Sequence, residues 1–191
     1  MKALSSPSIF HGAVSDSFEG GRPHVLWRID CLGGEYYILI LSETKPDLTS
    51  FCTQFSDTES YEVKDYNSLL NRITGGSRWR FRLTANPTKS ICKNKGERGK
   101  VVAHITSEYQ KKWLIEKSKT NGFALSDDSF DTIQCKWRRF YKTGDKYITL
   151  LSVTYEGVLE VTDADLFRNA LINGIGRGKA YGMGLFTIMG I

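Results

Sequence analysis

Residues 130–142 and 146–161 are two long runs rich in strand-forming residues, separated only by Thr143-Gly144-Asp145. A short Gly- and Asp-containing connection between such runs specifies an antiparallel hairpin. Helical spacing lies on both sides of it. Thr106-Ser107-Glu108 opens one helix, with Tyr109, Trp113 and Leu114 at i, i+4 and i+5 and a stop at Asn121-Gly122. Thr162-Asp163 caps a second helix carrying Leu166, Phe167, Ala170 and Leu171. With strands expected at 100–105 and 182–188, the second half reads β-α-β-β-α-β.

The first half reads as the same unit without its opening strand. Leu4, Ile9, Phe10, Val14 and Phe18 give helical spacing over 4–18, and strands at 25–29 and 35–41 flank the turn at Leu32-Gly33-Gly34. Tyr61, Tyr66, Leu69, Leu70 and Ile73 suggest a helix stopped by Gly75-Gly76. Arg78-Trp79-Arg80-Phe81-Arg82-Leu83 then alternates basic with apolar residues, the period of a half-buried strand. Asn86-Pro87 closes it. The expected fold is α+β: two tandem ferredoxin-like (RRM-like) domains, each an antiparallel sheet with helices on one face. The boundaries expected are an N-terminal domain over 1–86, a basic linker over 87–99 and a C-terminal domain over 100–191. The absent opening strand implies either a mis-set or truncated start or a first sheet that is one strand short.

Composition narrows the function classes. Aromatic residues at 12% and charged residues of both signs at 25% describe a folded chain with a core. The longest clean apolar run, 36–41, is far short of the ~20 residues of a membrane span, and no secretory signal opens the chain. A cytoplasmic protein without a membrane partner is expected. Cys31, Cys52, Cys92 and Cys135 are widely scattered, which predicts four buried apolar thiols, no disulfide and no metal site. The 26 Lys and Arg against 21 Asp and Glu are unevenly spread. Residues 43–65 are acidic, whereas 78–100 holds Arg78, Arg80, Arg82, Lys89, Lys93, Lys95, Arg98 and Lys100 against Glu97 alone. Lys136, Arg138, Arg139 and Lys142 form a second basic cluster in the hairpin. Such clustering of one sign points to a polyanion.

Motifs for phosphate-loop, serine-hydrolase and zinc-protease chemistry are missing, so any reaction runs on few groups. His104 lies in an apolar run and reads as a half-buried structural histidine, and His24 has no evident partner. His11, beside Ser8 and Gly12, is the histidine most open to a substrate and titrates near neutrality. The segment 174–184 places Gly174, Gly176, Gly178, Gly182 and Gly184 around Arg177 and Lys179, a composition suited to close backbone approach to phosphate.

At this point the sequence resembles a family. GIGRGKAYGMGLFTI near the C-terminus, FRLTANPTKS at 81–90, LWRID at 26–30, TSEYQKKWLIEKSKTNGFAL at 106–125 and YEGVLEVTDADLF at 155–167 are similar, in order, to the CasE family. These are precursor-RNA endoribonucleases of the type I-E CRISPR complex Cascade. The resemblance implies two ferredoxin-like domains and cleavage of the repeat stem-loop of precursor CRISPR RNA. It also implies retention of the product with other Cascade subunits, and a metal-independent reaction without a small-molecule cofactor. It maps the catalytic histidine onto His11, while Ser8 stands where the family often has tyrosine. The RNA-binding residues expected are Lys93, Lys95, Arg98, Lys100, Arg138, Arg139, Lys142, Arg177 and Lys179. A different class remains open: a non-catalytic RRM-like RNA binder, because residues 179–186 loosely echo an RRM strand motif.

Overall fold

Pro7 opens the first helix, α1 (Pro7–Asp16), where a fixed φ favours helix entry and no amide hydrogen is needed. The computed structural model describes residues 7–19, 23–56, 61–92, 99–141 and 147–191. Strands β1 (Val25–Leu32) and β2 (Glu35–Ser42) follow as an antiparallel hairpin in the register Trp27↔Ile40 and Ile29↔Ile38. That face of the hairpin packs on α1 and on a helix the sequence did not announce, α2 (Thr49–Phe55). Asp47 steadies its start by accepting hydrogen bonds from the Thr49 amide at 3.0 Å and hydroxyl at 2.7 Å. Phe10, Phe51 and Phe55 meet with ring centroids 4.8–6.2 Å apart, so tertiary packing holds a segment with little helical propensity of its own.

The helix expected over Tyr61–Ile73 shrinks to one turn, α3 (Asn67–Leu70). Asp65 accepts from the Asn67 amide and starts the turn, and 61–65 carries no regular structure. Strand β3 (Arg78–Ala85) then takes a different place from the one expected. It pairs antiparallel with β8 (Tyr147–Val161) and with β9 (Phe186–Gly190), both from the second half. Trp79, Phe81 and Leu83 are buried in the core formed with α4 (Ser107–Thr120) and α5 (Ala164–Asn173).

The second sheet therefore runs β9-β3-β8-β7, with β7 (Phe130–Tyr141) on one edge and the two-residue β6 (Phe123–Ala124) also on β8. This is the strand order of a ferredoxin-like unit whose first strand is β3. The expected first strand, β5 (Lys100–Ala103), pairs instead with β4 (Thr88–Ile91) in a separate hairpin. A boundary at residue 86 would cut this unit after its first strand, and the expected linker holds β4. The α+β class and the antiparallel sheets with helices on one face stand as expected from the sequence.

Two cores reflect the two units. The larger lies between the second sheet and α4 and α5, and the smaller joins α1, α2 and the β1–β2 hairpin. Arg28 ties them together. Its guanidinium is buried, pairs with Asp30 at 2.8 Å, and donates to the carbonyls of Arg82 (3.1 Å) and Leu185 (2.9 Å) and to the Thr187 hydroxyl (2.8 Å). Four acceptors satisfy a charge that would be costly to bury alone. The cysteines depart from expectation: all four are free, but only Cys52 is buried, while Cys31, Cys92 and Cys135 are exposed.

Candidate nucleic-acid interface and active site

The segment 174–184 links α5 to β9, and its ends are pinned. The Ile175 amide donates to the Gly184 carbonyl at 2.9 Å, and the Gly184 amide donates to the Thr84 carbonyl on β3 at 2.7 Å. Between these anchors lies a single 3-10 turn, Lys179–Tyr181, bounded by Gly178 and Gly182 in the left-handed region. Gly182 also abuts an indole: a Cβ there would stand 2.7 Å from Trp27 Cζ3. Left-handed backbone at 182 and 184 explains why β9 begins at Phe186 rather than at 182. The glycines thus serve the geometry and packing of the loop.

The 3-10 turn packs against α1 and β1. This brings Lys179 and Tyr181 beside the helix that carries His11. His11 is half-buried, and its carbonyl accepts the Ser15 hydroxyl at 2.8 Å. One turn earlier the Ser8 hydroxyl donates to the Tyr141 carbonyl at 3.0 Å, tying α1 to the end of β7. Phe140 of β7 meets the Tyr181 ring at 4.9 Å. Helix, 3-10 turn and edge strand converge on one place. Tyr181 is the residue that sequence reasoning passed over as a site group; its signal was its position between Lys179 and Gly182.

The other expected residues fall into three sets. Arg138 shares a face of β7 with Phe140, is half-buried, and burial lowers its pKa from the usual arginine value. Arg139 points to the opposite face, its guanidinium 4.5 Å from the Tyr147 ring centroid. Arg177 precedes the 3-10 turn, held by a backbone bridge to Asn86, and Lys100 is exposed opposite Ile91 in β5. Lys93, Lys95, Arg98 and Lys142 lie outside the described residues. Of the β3 arginines, Arg82 is engaged with Glu156 at 2.7 Å and Asp30 at 3.7 Å, while Arg78 and Arg80 are exposed. Among the described residues, no three His, Cys, Asp or Glu side chains gather into a set that could hold a metal ion.

His104 is half-buried, as expected, with its carbonyl accepting from Gln110 at 3.0 Å. The RRM-like reading fits poorly, because Phe186 is fully buried and Tyr181 sits on a turn instead of a strand.

Known proteins share this fold. CRISPR-associated endoribonuclease Cse3 of Thermus thermophilus is 29% identical over 189 residues, covering 92% of this chain and 84% of the relative. A structure of Thermus thermophilus Cse3 bound to an RNA representing a pre-cleavage complex superposes with a TM-score of 0.76 at 27% identity, over 98% of this chain and 91% of the other. The fold is also shared with Cas6e of Escherichia coli str. K-12, at a TM-score of 0.62 and 22% identity over 99% of this chain and 95% of that one. The family model for CRISPR associated protein matches residues 1–189, and the chain belongs to that family.

Proposed function

We propose that the protein is an endoribonuclease that cuts precursor CRISPR RNA beside the repeat stem-loop and remains bound to the product within Cascade. The observation that carries this reading is the packing of the Lys179–Tyr181 turn against α1, which puts a cation and a phenol beside the His11 helix. Membership of a family that includes an endoribonuclease, and likeness to a relative with RNA bound, support it.

The reaction needs no external nucleophile. The ribose 2′-hydroxyl upstream of the cut gives up its proton and its oxygen bonds to the adjacent phosphorus. The bond from phosphorus to the 5′-oxygen breaks, and that oxygen takes a proton. The fragments end in a 2′,3′-cyclic phosphate and a 5′-hydroxyl. His11 passes one or both protons, a role worth roughly 10²–10⁴-fold. Lys179 offsets charge developing on the phosphate, and Arg138, on the strand face of Phe140, is a second cation for it. The chain's remaining contribution is to hold the ribose in line for attack.

A labelled repeat hairpin tests this directly. His11→Ala should abolish single-turnover cutting while leaving hairpin affinity within a few-fold. A single 2′-deoxy substitution upstream of the scissile phosphate should block cutting, and excess EDTA should not. Cutting of the deoxy substrate, or near wild-type cutting by His11→Ala, would overturn the assignment.

A further inference from the structure

A second basic site includes residues 176–177 of the glycine-rich loop, ahead of the turn that packs beside the His11 helix. Thr88, Lys89 and Ser90 of β4, Val101 of β5, Trp113 and Lys117 of α4, and Gly176 and Arg177 of the loop line a cleft of about 220 Å³ that opens to solvent. Three cations and two hydroxyls meet there, and no carboxylate lines it. Among the described residues neither Lys89, Lys117 nor Arg177 makes an ion pair, although Arg82, Lys111, Lys112 and Arg168 all do. Like charges brought together by three separate elements repel unless an anion joins them.

Construction of the cleft is specific. Gly176 forms part of the wall against Trp113, and a Cβ at 176 would stand 3.2 Å from the indole edge. The volume is below the roughly 300–1,000 Å³ of small-molecule pockets and the lining is polar, which suits a phosphate and adjoining sugar instead of a cofactor. One of its cations reaches an aromatic ring. Lys89 Nζ also lies 5.7 Å from the centroid of Tyr109, which is half exposed and stacked with His104 at 5.9 Å. A phosphate-sized basic cleft beside an exposed ring is the arrangement by which proteins hold single strands.

We infer that the Lys89–Lys117–Arg177 cleft is a phosphodiester subsite for single-stranded RNA continuing from the repeat stem, separate from the site at His11. This rests on the RNA-cutting reading above. The loop 174–184 then lies between two phosphate contacts: Lys179 on the His11 side and Arg177 on the cleft side. An RNA strand crossing the loop would engage both.

The experiment compares three labelled RNAs: the bare repeat hairpin, the hairpin with a single-stranded 5′ extension, and the hairpin with a 3′ extension. Binding is measured with His11→Ala protein, with and without Lys89→Gln and Lys117→Gln together. Lys89 is exposed and Lys117 half-buried, and unchanged thermal melting checks that the fold is kept. At least tenfold weaker binding of one extended RNA is expected, with under twofold change for the bare hairpin. The extended RNA should also lose about 1.4 from its log–log salt slope, some 0.7 for each single-strand phosphate contact. The responding extension identifies which side of the stem the cleft holds. Equal loss on all three RNAs, or no loss on any, overturns the subsite. If the wild type fails to cut the hairpin yet binds a free single strand through Lys89 and Lys117, the processing reading falls and the subsite stands.

Discussion

Gly182 lies directly against Trp27, so close that a methyl group on it would sit 2.7 Å from the indole ring. Its φ of 76° is equally exclusive of other residues. This contact sets how deeply the Lys179–Tyr181 turn seats beside α1. Gly182→Ala should therefore lift the turn away from His11. Left-handed backbone alone costs alanine about 1–2 kcal/mol. Cutting of a repeat hairpin should fall at least tenfold with hairpin affinity largely kept; unchanged single-turnover rates would show that the seating of the turn does not matter to the reaction.

Tyr181→Phe separates chemistry from packing. The ring contact with Phe140 survives the change and only the hydroxyl is lost. A cutting rate at least tenfold lower, with an unchanged melting temperature, is the outcome expected if the phenol stands in for the family tyrosine absent at Ser8. Equal rates would leave Lys179 as the group on the turn that matters.

Arg28→Met should be among the most damaging single changes outside the site. It leaves Asp30 with only the more distant Arg82, the Arg82 carbonyl with the Thr187 hydroxyl, and the Leu185 carbonyl stripped of its guanidinium donor. Breaking a buried pair from one side costs about 3–5 kcal/mol. Chemical denaturation should show that loss, and adding Asp30→Leu should recover part of it.

His104 supplies a pH signature. Burial lowers its pKa from the ordinary histidine value, Lys89 lowers it further, and the Glu116 carboxylate opposes the two without reversing them. The folded state thus resists protonation more than the unfolded state does, so stability held at neutral pH should decline as pH falls below about 6.5. NMR titration should place His104 below that value. Lys89→Gln should move it upward, and so should RNA bound in the cleft; an unmoved resonance in both cases would mean that Lys89 does not face it.

Much of this was legible beforehand where one physical signal dominated. The hairpin β7–β8 followed from long strand runs around a turn, and α5 from Asp163, whose carboxylate accepts from the amides of Asp165 and Leu166 at 3.0 Å. Short elements were not. Helix α2 exists because Phe51 and Phe55 pack on Phe10, a contact distant in sequence that leaves no periodic trace over seven residues. The alternation of β3 was plain, but alternation states only which face is buried, not which strands pair beside it. His11, Lys179 and Arg177 stood out as single residues. That the Lys179–Tyr181 turn packs on α1 while Arg177 lines a cleft with α4 and β4 depends on left-handed glycines and end-to-end hydrogen bonds in the loop, which composition does not reveal. The Lys89–Lys117 cleft was hidden because α4 and β4 each contribute one cation.

Placement of β3 at the centre of the second sheet has a consequence for how the protein is made. The Thr187 hydroxyl donates to the Arg82 carbonyl across 105 positions of chain, and β9 leaves the ribosome after every other strand of this sheet. Until then Trp79, Phe81 and Leu83 have no lasting cover on the β9 side, and a sheet closed by such distant pairing forms slowly. During synthesis the nascent chain would carry an aromatic strand with an open edge, a hazard for association between growing chains. Shortening by a few residues at β9 would prolong that state indefinitely, even with His11 and both basic sites still encoded.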